Sequence, residues 1–317
     1  SRSRAAAGAS AENELFAGRA RRDTRPMNMR DRVAELEARR AKIREMGGVE
    51  RIARQHERGK LTARERMSAL FDQGQWFEVG MHGRQMGAAG ERGDTPADGV
   101  ICGFGKVDGR MVCAAAYDFT VKGGSIGQTG EEKVTRLRKM ALTGRWPMVW
   151  LIDSAGARID PGSGHHPDEL STFAGSGHLF REQVIMSGVV PQIAAMVGPG
   201  AAGTAYIPGL ADFVPMVKGV GTLALAGPPL VKAVTGQDID EQSLGGSKVH
   251  CELSGVGDAE VADDAACIAM VKQYLSYMPS SADGSPPRIS CDDPIDRRDE
   301  SLLDLLPENP RQAWDMY

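Results

Sequence analysis

The chain is 317 residues long, 41% hydrophobic and 25% charged, with a formal net charge of −4. That length supports one large α/β domain with a substantial core; the mild acidity speaks against nucleic acid as a main partner, and no apolar run approaches the roughly 20 residues needed to span a bilayer. Cys102, Cys113, Cys251, Cys267 and Cys291 are scattered with no C-x-x-C pair, which suits a reducing compartment and supplies no ordinary zinc site, so no metal is expected in the chain.

Residues 1–28 form an arm rich in Ser, Ala and Arg and poor in aromatics, expected to stay disordered until a partner claims it. Its Arg-rich start has the character of a transit peptide, but Glu12, Glu14 and Asp23 weigh against one. The cytoplasm is therefore the expected location, with the mitochondrial matrix as the alternative. The missing initiator Met suggests processing.

Residues 29–75 read as a helical extension. Val33, Leu36, Ile43 and Met46 make a helical stripe over residues 29–46, and Gly47-Gly48 ends it. A second helix spans residues 49–58. Thr62 caps a third over residues 63–71, with Glu65 at the capping-box position. The basic residues Arg51, Arg54, Arg58, Lys60, Arg64 and Arg66 admit two readings: forks for phosphate groups, or a solvated charged face.

Strands joined by turns follow over residues 80–112, and Asp108-Gly109 is a type I′ hairpin signal. Residues 112–116 read as a strand, and Gly123-Gly124-Ser125-Ile126-Gly127 comes soon after them. This matches the G-x-S-x-G elbow of hydrolases, but no base or orienting acid is visible, so Ser125 is read as turn chemistry. Residues 131–143 form a helix with Val134, Leu137, Met140 and Ala141 on one face. The strand at residues 148–152 leads straight into Asp153-Ser154-Ala155-Gly156-Ala157-Arg158-Ile159. If the chain turns into a helix near Ala157, the amides of Ala155 and Gly156 point outward unpaired and form an oxyanion hole; a tight turn without chemistry is the plain alternative.

His165, His166, Asp168 and Glu169 lie on a Gly/Pro-rich loop and read as solvated rather than as metal ligands. A helix over residues 170–187 and a strand over residues 189–197 precede Gly198-Pro199-Gly200-Ala201-Ala202-Gly203, where small residues open another helix. Three strand-to-glycine transitions imply a layered α/β fold whose loops meet at one cleft. A strand at residues 223–226, a helix at 228–234 and a helix at 265–277 stopped by Pro279 complete the reading. Lys232 and Lys248 carry no mark beyond that of surface lysines.

The motifs Asp118-Phe119-Thr120, Gly123-Gly124-Ser125, Asp153 through Ile159, Gly198-Pro199, Thr235-Gly236-Gln237-Asp238 and Leu244-Gly245-Gly246-Ser247-Lys248-Val249-His250 stand in register from about Gly59 to Pro279. Together with Gly59-Lys60-Leu61-Thr62-Ala63-Arg64-Glu65-Arg66, this chain resembles the N-terminal half of the carboxyltransferase β subunit of biotin-dependent acyl-CoA carboxylases, the propionyl-CoA carboxylase type. The family has Cys where Gly200 stands and Gly at Ala202, and the loop over residues 160–169 is longer and more polar than usual, which leaves the acyl substrate open.

The resemblance implies a crotonase-like superhelix of ββα units, occupying residues 76–280, with residues 281–317 a linker towards a second carboxyltransferase domain. It implies transfer of CO2 from carboxybiotin to the α-carbon of an acyl-CoA through an oxyanion-stabilised enolate. Ala155 and Gly156 would be catalytic, and Gly123, Gly124, Ser154, Ala157, Arg158, Gly198, Gly200, Ala202 and Gly203 would bind acyl-CoA. It further implies biotin on a partner carrier protein or domain, a biotin carboxylase subunit, a second carboxyltransferase domain or subunit, and a homo- or hetero-oligomer, with neither nucleic acid nor membrane as partner. The alternatives are the α subunit of a biotin-dependent acyl-CoA decarboxylase and a non-catalytic acyl-CoA-binding subunit.

Overall fold

A computed structural model describes residues 28–85, 94–158 and 178–314. The N-terminal arm through residue 27, the His165-His166 loop and the first part of the helix expected from residue 170 lie outside the described residues. The described residues open with three helices: α1 (Met29–Arg44), α2 (Val49–Glu57) and α3 (Ala63–Leu70). Asn28 caps α1 by accepting from the Asp31 amide, and the Thr62/Glu65 capping box closes the start of α3 in both directions. On α1 Ile43 alone of the expected stripe is buried, within the core cluster that holds Met67 and Leu70, whereas Val33 and Leu36 face outward among the described residues.

Eight strands form one sheet, ordered β1-β2-β3-β4-β5-β6-β8 with β7 also beside β5. They are β1 (Trp76–Glu78), β2 (Val100–Val107), β3 (Arg110–Tyr117), β4 (Met148–Ser154), β5 (Gln192–Ala201), β6 (Pro215–Val217), β7 (Thr222–Ala224) and β8 (Ala259–Val261). β1, β2 and β3 pair antiparallel, and every pairing from β3 onward is parallel. Asp108 and Gly109 both take positive φ, 49° and 78°, which is what a two-residue β2–β3 hairpin of matching twist requires.

The parallel strands are covered on both faces, so they are apolar on both. Along β4, Met148, Trp150 and Ile152 face one core with Val134, Leu137 and Ala141 of α4 (Gln128–Gly144). Val149 and Leu151 face the other, with Met67 and Leu70 of α3 and Ile268, Val271 and Leu275 of α9 (Asp264–Tyr277). Thus α3, read from sequence as part of an extension, is one wall of the lower core. Between β4 and the end of the sheet lie α5 (His178–Met186), α6 (Tyr206–Gly209), α7 (Pro228–Thr235) and α8 (Glu241–Gly245). Past α9 the chain is mostly exposed, with one short helix, α10 (Ser301–Asp304).

Candidate functional site

The carboxyl ends of β3, β4 and β5 open on the same edge of the parallel sheet, the usual place for a ligand cleft in such folds. After β3, Asp118 folds the chain back by accepting from the Thr120 amide and hydroxyl (3.1 and 2.6 Å). Its side chain is buried, and burial pushes its carboxyl above the ordinary Asp value. A short turn over Lys122–Gly124 follows, with Gly123 and Gly124 at φ 65° and 61°. Gly124 is backed so closely by the Asp153 carbonyl that no Cβ fits there, and Gly123 lies 3.5 Å from the Ala155 methyl at the position its Cβ would take.

This turn changes what the end of β4 becomes. The Ala155 N–H donates to the Gly123 carbonyl (2.9 Å), the Ile126 N–H to Gly156 (2.8 Å), and the Arg158 N–H to Ile126 (3.0 Å). Ala157 forms a parallel bridge with Ile126. Among the described residues, which here end at Arg158, no helix starts at Ala157: the left-handed glycines bring carbonyl groups alongside, and the chain stays extended as a strand edge. Nor is the Ala155 amide unpaired, and the Gly156 N–H donates to Ser154 Oγ at 3.1 Å.

The group this leaves available is one residue further on. In a parallel bridge whose bonds run to residues 156 and 158, the N–H of residue 157 points to the opposite side. That side faces β5, since β3 and β5 flank β4. Gly156, at φ 94°, lies directly against it: a Cβ there would sit 2.7 Å from the Ala201 carbonyl oxygen and 3.2 Å from the Ala202 Cβ. Ala202, itself at φ 49°, opens the short turn Ala202–Ala205, and an amide at the start of such a turn has no acceptor within it. Gly203 follows in open space, with nothing within 4 Å of its Cβ position.

Three of the expected substrate-binding residues make packing or ion-pair contacts within the chain. Arg158 is fastened by Asp98 (2.5 Å), Ser125 Oγ (3.1 Å) and the Ser125 carbonyl (2.9 Å), so its guanidinium locks the bridge rather than reaching for a ligand. Gly198 is bare because the Asp153 carboxylate occupies its Cβ position; at Gly200, paired with Ser154, a Cβ would lie 2.6 Å from the Met196 methyl. Ser125 is buried and accepts from Arg158, and no histidine bonds to it among the described residues.

Beneath the turn lies a charged network that sequence reasoning missed. Asp153 is fully buried and accepts from Lys60 Nζ (2.7 Å), Gln55 Nε2 (2.8 Å) and Arg66 (2.8 Å); Arg66 also donates to Asp264 (2.9 Å) and the Val197 carbonyl (2.9 Å). Burial pushes the Lys60 ammonium below the ordinary Lys value, against the pull of Asp153. Lys60 also stacks over Phe119, 4.7 Å from the ring centroid, so the upstream helices reach both site loops. Of the six basic residues weighed for phosphates, Lys60 and Arg66 are in this network and Arg64 pairs with Glu78 (2.8 Å). Arg51, Arg54 and Arg58 on and just after α2 remain exposed, and Arg51 reaches the Thr120 carbonyl (3.2 Å).

Comparison with known proteins gives this geometry a context. The carboxyl transferase domain family matches residues 54–317. The methylmalonyl-CoA decarboxylase subunit alpha of Veillonella parvula is 36% identical over 290 residues, covering 91% of this chain and 56% of that protein. The propionyl-CoA carboxylase beta chain of Roseobacter denitrificans is 39% identical over 291 residues, covering 91% and 56%. Among solved structures, transcarboxylase 12S, a hexamer with methylmalonyl-coenzyme A bound, superimposes with a TM-score of 0.81 at 35% identity over 92% of this chain and 56% of that one. The chain thus has the crotonase-like carboxyltransferase fold and spans about half the length of the relatives it matches.

Proposed function

The chain belongs to the carboxyl transferase domain family, and from that premise we propose that it is the acyl-CoA-binding half of a biotin-dependent acyl-CoA carboxyltransferase. The observation that supports this reading is the close approach of the β4 extension to the β5 turn at Gly156, whose Cβ position lies 2.7 Å from the Ala201 carbonyl oxygen and 3.2 Å from the Ala202 Cβ, and in our reading the amides of Ala157 and Ala202 face one cleft there. These amides, rather than that of Ala155, are the oxyanion donors in our reading. Gly123, Gly124, Ser154, Ala155 and Gly156 hold the first in place; Gly198, Gly200 and Gly203 shape the approach of the second.

The thioester carbonyl accepts from the two amides. Loss of the α-proton, whose acceptor would come with the biotin on the carrier, moves its electron pair into the carbonyl as an enolate, and in our reading fixed dipoles aimed at the oxygen stabilise that charge without reorganising. The enolate carbon then attacks CO2, forming the new carbon–carbon bond; in reverse, loss of CO2 leaves the same anion. One geometry thus supports carboxylation and decarboxylation alike, as the two kinds of relative suggest.

Biotin carried by a partner supplies the CO2 in this reading. Small residues dominate the turns, with Ala155, Gly156 and Ala157 after β4 and Ala201, Ala202 and Gly203 at the end of β5, which fits a ring brought in on a carrier and facing a second carboxyltransferase half. In this reading the exposed Arg51, Arg54 and Arg58 are candidates for the phosphates of coenzyme A. We place the activity in the cytoplasm, in an oligomer with biotin carboxylase and carrier subunits. Calorimetry with propionyl-CoA and free CoA tests the assignment. Binding of the thioester is expected, and no heat or thermal shift at millimolar ligand refutes it.

A further inference from the structure

Beside the β5 turn lies a second concavity. β7 runs parallel to β5, with Gly200 opposite Leu223 and Ala201 opposite Ala224. Between β7 and helices α6, α7 and α8 lies a concavity of about 520 Å³ that is open to the surface. Tyr206, Leu210, Leu223, Val231, Leu244 and His250 line it, and no Asp, Glu, Lys or Arg does. His250 is engaged at both nitrogens, Nε2 with the Leu223 carbonyl (2.8 Å) and Nδ1 with Ser254 Oγ (2.9 Å). Tyr206 is held edge-on against Phe180, ring centroids 4.9 Å apart. A phosphate, sugar or carboxylate finds no counter-charge here. A hydrocarbon chain finds continuous apolar walls.

The position of the cavity names its occupant. Ala205, one of its wall residues, closes the turn that Ala202 opens. At about 2 Å rise per residue, the wall residue Ala205 lies roughly 6 Å along the turn from Ala202, a span comparable to the acyl carbons beyond the α-position of a thioester whose carbonyl sits on the Ala202 amide. We propose that this cavity receives the acyl chain and that the protein prefers CoA thioesters with chains longer than propionyl. The proposal rests on the carboxyltransferase reading above.

A calorimetric series of propionyl-, butyryl- and hexanoyl-CoA against free CoA tests it on the chain as it is. The dissociation constant is expected to fall by about three- to fourfold per added methylene. Val231→Phe, at a half-buried wall position, is expected to abolish the gain from propionyl to hexanoyl while leaving propionyl-CoA and free CoA unchanged. Leu244→Phe gives a second, independent filling of the same space, and unchanged propionyl-CoA binding certifies that each variant is folded. Equal affinity across the series, or a Val231→Phe protein that keeps the full hexanoyl advantage, overturns the cavity assignment alone. Failure of every thioester to bind overturns the underlying reading as well.

Discussion

Replacing Gly156 with Ala adds one carbon at the narrowest point of the site. The residue sits at φ 94°, and holding a side chain in such a backbone costs about 1–3 kcal/mol. The new Cβ would also lie 2.7 Å from the Ala201 carbonyl oxygen. That atom belongs to backbone and cannot swing aside as a flexible side chain would. Something must move by a few tenths of an ångström, and Ala201 is bonded directly to the Ala202 amide. We expect unfolding in urea to show a loss of about 2 kcal/mol. Carboxyl transfer, reconstituted with a second carboxyltransferase half, should fall by about 10²–10³, the usual cost of a misplaced oxyanion donor. Gly203→Ala is the control for stability: its Cβ meets nothing within 4 Å, so its urea midpoint should hardly change. A Gly156→Ala protein with normal transfer would refute the reasoning, as would equal destabilisation by the two variants.

Asp153→Asn should destabilise the fold by about 3–5 kcal/mol, because Lys60 and Arg66 stay buried without their shared counter-charge; a loss under about 1 kcal/mol in urea unfolding contradicts that role. Ser125→Ala removes an acceptor for Arg158 but leaves Asp98 and the Ser125 carbonyl, so about 0.5–1.5 kcal/mol is expected. No fluorophosphonate labelling should be seen with either protein, and labelling that disappears in the variant would revive a nucleophilic serine. The amides of Gly109 and Asp108 hold the Asp72 carboxyl below its usual range. A depressed carboxylate stabilises the fold above its unfolded value, 3.8, and loses that contribution as pH falls through its folded value. Asp72→Asn should therefore be less stable than the parent at neutral pH and converge with it in acid; a constant gap across a pH series of urea midpoints excludes this.

Local signals were legible where the physics is local. The Thr62 capping box, the Asp108-Gly109 hairpin and the strand from Met148 each depend on residues a few positions apart. The meeting of the glycine-rich turns followed from the repeated strand-to-glycine pattern. What was not legible depended on distant partners. Ala157 follows small residues suited to opening a helix, but Ile126, far back in the chain, claims it as a strand edge. Asp153 looked like the first residue of a binding motif, yet Gln55, Lys60 and Arg66 make it an anchor. The three-residue strands β6 and β8 have too little sequence for a period to show and are defined by pairing with each other. Arg158 offered a charge in a recognisable motif, and only the fold reveals that Asp98 has taken it.

The central claim is that two backbone amides, of Ala157 and Ala202, polarise the carbonyl of a bound thioester. Isotope-edited infrared spectroscopy of propionyl-CoA labelled with ¹³C at that carbonyl reads this directly, without a partner subunit or turnover. Two donors aimed at the oxygen lengthen the C=O bond, so the bound band should move to lower wavenumber than in water, and Gly156→Ala should reverse much of the shift while still binding ligand. A thioester that binds with its carbonyl band unmoved from the value in water would contradict the account.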